Sequence, residues 1–190
     1  MTTQNYVSYR DRLVGAVSRA IDGDTYTHVQ NSLIVRNGEL YRDELNENAD
    51  ICVLYRDGRM ETKKRGTFTL CEIVDADPWQ VWSFGPALLD GNGRAVDVES
   101  TLNGYNPRTA IGYYEPWHYC FVVVDGRQDD WSTGVRLSGL SKLMEALGCK
   151  AAYNLDGGNS AQMYWNGEIV SRACGSGRVV SDIIYLLPEE

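Results

Sequence analysis

The chain has 190 residues, 43% of them hydrophobic and 23% charged, and a net charge of −8 from 18 Lys and Arg against 26 Asp and Glu. Such a length and composition suit one globular domain with a sizeable core and argue against global disorder. The acidic balance, with no basic run longer than Lys63-Lys64-Arg65, argues against nucleic acid as a partner, because a nucleic-acid binder needs a basic face to displace counterions.

The start, Met1-Thr2-Thr3-Gln4-Asn5, is polar, and Arg10, Asp11 and Arg12 follow it. It has no signal-peptide core, and no stretch approaches the roughly 20 apolar residues of a membrane span. A cytoplasmic protein with no membrane partner is expected. Residues 6–20 predict a helix, with Tyr6, Tyr9, Leu13, Val14, Val17 and Ala20 on one face. Three hairpins follow from Asn-Gly or Asp-Gly pairs between β-rich runs. They turn at Asn37-Gly38, Asp57-Gly58 and Asn166-Gly167. Phe121-Val122-Val123-Val124 is a continuous apolar run, as expected of a strand buried on both faces. Leu137, Leu140, Leu143, Met144 and Leu147 form the stripe of a second helix over 138–147. Ser138 is its expected N-cap, and Gly148 sits where a left-handed C-terminal residue belongs. Residues 151–155 form a short strand, and Val179–Leu187 is the expected last strand, stopped by Pro188.

This pattern predicts an α+β single domain over residues 1–190, with a large mixed sheet and hairpins. The strand at Val124, the 138–147 helix and the strand at Tyr153 read as one β-α-β crossover. Such a crossover makes its two strands parallel neighbours with their C-terminal ends on one edge. Asp125 and Asp156 stand at those ends, where open α/β sheets bind ligands. The two are therefore expected to line one pocket.

The five cysteines, at 52, 71, 120, 149 and 174, are odd in number and widely spaced. They form no disulfide framework or metal knuckle, and Cys52, Cys71 and Cys120 are expected as buried thiols. His28 and His118 are far apart in sequence, so no His-dependent triad or zinc site can be assembled from local motifs.

Four stretches could carry chemistry. Asp156-Gly157-Gly158-Asn159-Ser160 combines a carboxylate, two glycines that admit close backbone approach, and neutral donors. Read alone, it is equally a turn before the third hairpin. Asn106-Pro107-Arg108-Thr109-Ala110-Ile111-Gly112 offers a guanidinium for bidentate phosphate binding, or simply a surface arginine after a Pro turn. Asp125-Gly126-Arg127 ends the apolar strand, and Asp125 is either catalytic or a turn cap. Asp22-Gly23-Asp24 is the fourth. The five Trp and twelve Tyr include no residue that can be assigned to sugar stacking.

Taken in order, these motifs resemble the phosphodiester glycosidase family over about residues 15–187. The correspondence runs through Asp22–Tyr26, Pro107–Gly112, Asp125–Arg127, Leu155–Ala161 and Arg178–Val180. The chain departs from the family pattern at Asp22, where Asn is usual, and at Thr25, which replaces an aromatic. It departs again at Asn159, which stands for a third Gly, and at Ala161, which stands for a second Ser.

The resemblance implies hydrolysis of a sugar-1-phosphodiester. Positive charge grows on the sugar ring in the oxocarbenium-like transition state, and Asp156 or Asp125 would stabilise it, attack it or activate water. The phosphate leaving group needs charge complementarity more than a proton. Arg108 would supply this, helped by Arg127 or Arg178 and by the amides of Gly157 and Gly158. The remaining substrate contacts implied are Asp22, Gly23, Asp24, Asn154, Asn159 and Ser160. No cofactor and no metal are assigned, and the oligomeric state is left open. Two other readings stand beside this one: a sugar-phosphate binding module that has lost turnover, and a hydrolase of a nucleotide-linked glycosidic bond.

Overall fold

The computed structural model describes residues 33–45, 49–98, 103–177, 180 and 183–186. The helix expected over residues 6–20 lies outside the described residues.

The first two hairpins form where the turn chemistry requires them. Strands β1 (Leu33–Arg36) and β2 (Glu39–Asp43) are joined through Asn37-Gly38, and both turn residues have positive φ, 56° and 79°. A two-residue hairpin turn of this kind demands that conformation, which Asn and Gly tolerate best. Strands β3 (Ile51–Tyr55) and β4 (Met60–Lys63) pair across the Asp57-Gly58 turn. The intervening helix α1 (Leu70–Val74) is closed by a capping box. The Thr69 hydroxyl accepts from the Glu72 amide (3.3 Å), and the Glu72 carboxylate accepts from the Thr69 amide (2.7 Å). Strand β5 (Pro78–Ser83) then inserts between β1 and β3, giving the order β2-β1-β5-β3-β4.

A second sheet has strand β6 (Arg108–Glu115) at its centre, flanked by β7 (His118–Val124) and β8 (Ala151–Leu155). Helix α2 (Leu137–Ala146) connects β7 to β8. A third hairpin, β9 (Tyr164–Trp165) with β10 (Glu168–Ile169), turns at Asn166-Gly167 as expected.

Strand alternation explains the layering. On β3, Ile51, Val53 and Tyr55 pack with Leu33, Val35 and Val81 against Ile73 of α1. The opposite face, Cys52 and Leu54 with Met60 and Trp82, meets Ile111, Tyr153 and Leu155 of the second sheet. The far face of that sheet, including Ala110 and Ala152, is covered by Leu140 and Met144 of α2. Tyr153 locks the two sheets together. Its buried hydroxyl donates to the carbonyl of Asp50 (2.7 Å) and accepts from the Phe84 amide (2.7 Å), while burial pushes its pKa well up.

The α+β class holds, but the sheet arrangement differs from the expectation. Among the described residues every strand pair is antiparallel, and the strands fall into two main sheets rather than one mixed sheet. The crossover from β7 through α2 to β8 exists, and its strands run parallel, but β6 lies between them. This makes β7 an edge strand, so its Val and Phe residues are half-buried rather than covered on both faces. Helix α2 is capped at Arg136 without a side-chain bond, not at Ser138, while Gly148 does adopt positive φ (79°). Residues 183–186 form no strand, and Cys71 is exposed. Among the described residues no helix is long and apolar enough to cross a membrane.

Helix α2 approaches its sheet over Gly112. A Cβ added there would lie 2.6 Å from the terminal methyl of Met144 on α2 and from the Cys149 sulfur, and 2.7 Å from the Cys120 sulfur of β7. Gly112→Ala is therefore expected to cost about 1–3 kcal/mol by overpacking. Urea unfolding checks this through a lowered midpoint at unchanged slope.

Candidate active site

The register of the second sheet decides what can meet. Arg108 pairs with Val124, and Thr109 pairs with Leu155. The start of β6 and the ends of β7 and β8 therefore share one edge. The Asn106–Arg108 segment, the Asp125–Arg127 loop and the Asp156–Asn159 loop are brought together there.

Glycines set how closely they approach. A Cβ on Gly157 would lie 2.4 Å from the Pro107 carbonyl oxygen. A Cβ on Gly126 would lie 2.7 Å from the Pro107 nitrogen, and one on Gly134 would lie 2.4 Å from the Asn106 carbonyl. All three are below any contact that a real side chain makes, so the Asn106–Pro107 backbone runs through a cradle only glycine can line. Within it, the Gly158 amide donates to the Pro107 carbonyl (2.9 Å), and the Thr109 hydroxyl donates to the Asp156 carbonyl (2.5 Å).

A cleft of about 1450 Å³ opens along this edge, lined by Asn106, Arg108, Arg127, Asn154, Asp156, Gly157, Gly158 and Asn159. Its other wall comes from β4 and from the 83–98 segment. Asp156 is half-buried. Arg108 is only 8% exposed, and it donates Nη2 to the Gly104 carbonyl (3.0 Å) and Nε to the Val135 carbonyl (3.4 Å). Burial, and then the Arg127 guanidinium, lower its pKa, but an arginine so placed remains charged at neutral pH. Arg127 has a left-handed backbone (φ 57°), uncommon for a residue with a side chain. Its guanidinium lies over Gly158, where an added Cβ would come within 3.2 Å of it.

The sequence-predicted residues divide as follows. Arg108, Arg127, Asn154, Asp156, Gly157, Gly158 and Asn159 line the cleft together. Asp125 does not, so the expectation that it shares a pocket with Asp156 is not met. Its carboxylate is committed elsewhere: Oδ2 accepts from the Trp131 indole (2.9 Å) and Oδ1 from the Arg172 amide (2.9 Å). The Arg172 guanidinium in turn stacks on the Trp131 ring, 4.9 Å from its centroid. Ser160 is buried and also off the cleft wall. The Gly158 amide, expected to face an anion, is spent on Pro107. Asp22, Gly23, Asp24 and Arg178 lie outside the described residues.

Two other carboxylates on the wall hold the scaffold. Asp50 accepts the amides of Arg65 and Ala87, and Asp90 accepts those of Asn92 and Arg94, bonds that lower its pKa. Among the polar wall residues given no role from the sequence are two that differ in their signal. One is Asp97, which is exposed and carries no motif signal. The other is Asn106, whose signal was its place at the head of the Asn-Pro-Arg stretch. Among the described residues no group of three or more His, Cys, Asp and Glu side chains is gathered for a metal ion.

Comparisons with known proteins give the family and the fold. The phosphodiester glycosidase family model matches residues 12–187, and the chain belongs to that family. An uncharacterized prophage-derived protein of Bacillus subtilis, YomE, is 28% identical over 161 residues, which are 81% of this chain and 25% of YomE. The catalytic domain of zebrafish N-acetylglucosamine-1-phosphodiester alpha-N-acetylglucosaminidase, auto-inhibited by its pro-peptide, has the same fold. It superposes with a TM-score of 0.66 at 22% identity, over 84% of this chain and 59% of the zebrafish chain. The chain thus spans about a quarter of the bacterial relative and under two thirds of the zebrafish domain.

Gly157→Ala tests the cradle. The added methyl has only backbone to displace, so a loss of about 1–3 kcal/mol in stability is expected. The amide resonances of Pro107's neighbours and of Asp156 should shift in the same variant, since the Gly158–Pro107 bond cannot survive the displacement. A Gly157→Ala protein with wild-type stability and spectrum would show that the loop does not depend on this contact.

Proposed function

We propose that the protein hydrolyses the bond between the anomeric carbon and a phosphate oxygen of a sugar-1-phosphodiester. The observation that carries this reading is one cleft edge on which a half-buried carboxylate, Asp156, accompanies two guanidiniums, Arg108 and Arg127. Family membership supports the same chemistry.

The division of labour follows from where charge develops. As the glycosidic bond lengthens, the sugar ring gains positive charge and the phosphate gains negative charge. Asp156 serves the ring by electrostatic stabilisation or direct attack. Arg108 and Arg127 serve the phosphate, with hydrogen-bonding groups oriented before the reaction begins. The leaving group is a phosphate monoester whose conjugate acid has a pKa of about 6, far below that of an alcohol, so the site requires no strong proton donor. Asn154 and Asn159 supply neutral polar groups for sugar hydroxyls. Asp125 acts at a distance: by holding Trp131 and the Arg172 amide it fixes the loop that carries Arg127.

Asp156→Asn separates turnover from capture. The substitution is nearly isosteric and removes the charge that the transition state needs. With a sugar-1-phosphodiester panel and mass-spectrometric product detection, turnover is expected to fall by orders of magnitude while calorimetric binding persists. A folded Asp156→Asn protein with wild-type turnover would remove Asp156 from the chemistry. Wild-type protein that binds without forming product would mark a binding module instead.

Arg108→Lys tests the phosphate contact. A point charge lacks the planar fork and cannot keep both the carbonyl anchors and the anion. A loss of about 2–4 kcal/mol in kcat/KM is expected, by analogy with removal of an oxyanion-hole donor. Near-normal kcat/KM would place the phosphate elsewhere.

A further inference from the structure

Arg127 is a cation held entirely by neutral oxygens. Its Nε and Nη2 both donate to Oδ1 of Asn106, at 3.0 and 2.7 Å, and its Nη1 donates to Oδ1 of Asn159 at 3.3 Å. Among the described residues no carboxylate forms an ion pair with it. A guanidinium fork gripped on its Nε edge is ordinarily matched to an Asp or Glu, which gives a stronger bond and cancels the charge. Here an amide occupies that place.

The amide is itself well anchored. Asn106 Nδ2 donates to the Gly104 carbonyl (3.2 Å), which fixes which end of the side chain faces Arg127. The Asn106 backbone exchanges two hydrogen bonds with Val135, at 3.3 and 3.0 Å, and lies in the cradle of Gly126 and Gly134. Arg127 has little freedom in return, since its left-handed backbone already turns the side chain across the loop.

We propose that Asn106 is a positioning residue that holds the Arg127 guanidinium over the Gly157-Gly158 loop with a neutral oxygen, leaving its full charge for a phosphodiester anion. This rests on the phosphate role given to the cleft above. A carboxylate at 106 would orient Arg127 equally well, but it would neutralise the cation and repel the anion. An apolar residue would leave the charge and lose the orientation. Only an amide does both.

The test uses dimethyl phosphate, a minimal phosphodiester monoanion, titrated against the whole chain by NMR, with the Arg127 Nε–H signal as the reporter of orientation. Asn106→Asp keeps the shape and the clamp. It is expected to retain the Nε–H signal and to bind dimethyl phosphate about tenfold or more weakly, as a charge-assisted contact is lost. Asn106→Ala is expected to lose both the protected signal and the affinity. Asn159→Asp places the same charge against Nη1 without touching the Asn106 backbone, and it should weaken binding similarly even if the 106 variants do not fold. Wild-type affinity in the folded Asp variants, or an Nε–H signal unmoved in Asn106→Ala, would overturn the clamp while leaving the phosphate reading intact. A wild-type protein that shows the Nε–H signal but binds no dimethyl phosphate would overturn the phosphate reading and the clamp with it.

Discussion

The site depends on the close passage of one peptide segment, Asn106–Pro107, between glycines contributed by two loops, the β7–α2 connection and the loop after β8. Gly126 follows β7, Gly134 precedes α2 and Gly157 follows β8. Each approaches the segment to a distance that a β-carbon would forbid. The consequence is chemical as well as steric. Because the loops meet over backbone, their side chains project from a common rim. Arg108 comes from the strand that leaves the segment, Arg127 from the loop beside Gly126, and Asp156 from the residue before Gly157. Sheet order supplies the rest, since β6 between β7 and β8 puts its own first residue on the edge where the other two strands end.

That same topology redistributes the acids. Had β7 and β8 been neighbours, Asp125 and Asp156 would have stood about 5 Å apart across one strand spacing. The insertion of β6 places two spacings between the strands and a cationic residue, Arg108, at the middle position. Asp125 turns to Trp131 and Arg172, and one carboxylate remains among the strand-end residues with two guanidiniums. A cation-rich rim suits a reaction whose leaving group is an anion. An ordinary glycosidase, which must protonate an alkoxide, needs its second carboxyl group close to the first.

How much of this could be read from the sequence follows the range of the interactions. The three hairpins were legible because Asn37-Gly38, Asp57-Gly58 and Asn166-Gly167 encode their turns within two or three residues. Helix α2 and its Gly148 terminus were legible from a stripe of Leu and Met. The capping box of α1 was also written locally, as Thr69 and Glu72 three residues apart, but five residues are too short for a periodic stripe to mark the helix. Strand order was not legible, because β6 is placed by register with two strands distant in sequence. The fate of Asp125 was hidden for the same reason, since Arg172 lies far along the chain. Arg127 and Asp156 stood out because Gly-rich loops at strand ends are local features, and Arg108 because it follows the Asn-Pro turn. Asn106 stood in a singled-out motif, yet its partner is set by the fold.

Asn159 shows how a departure from the family pattern can be absorbed by the geometry. The resembling pattern has glycine at this place, and a lost glycine in a ligand loop ordinarily suggests a blocked or weakened site. Here the Asn159 side chain accepts from Arg127, bridging the loop after β8 to the loop after β7. The glycines that the cradle cannot spare, Gly157 among them, are retained, while position 159 lies one residue beyond Gly158 in the short 3-10 turn Gly158–Ser160. A side chain is sterically admissible there, and its oxygen is neutral. The substitution therefore adds a tether to the Arg127 cation without cancelling its charge.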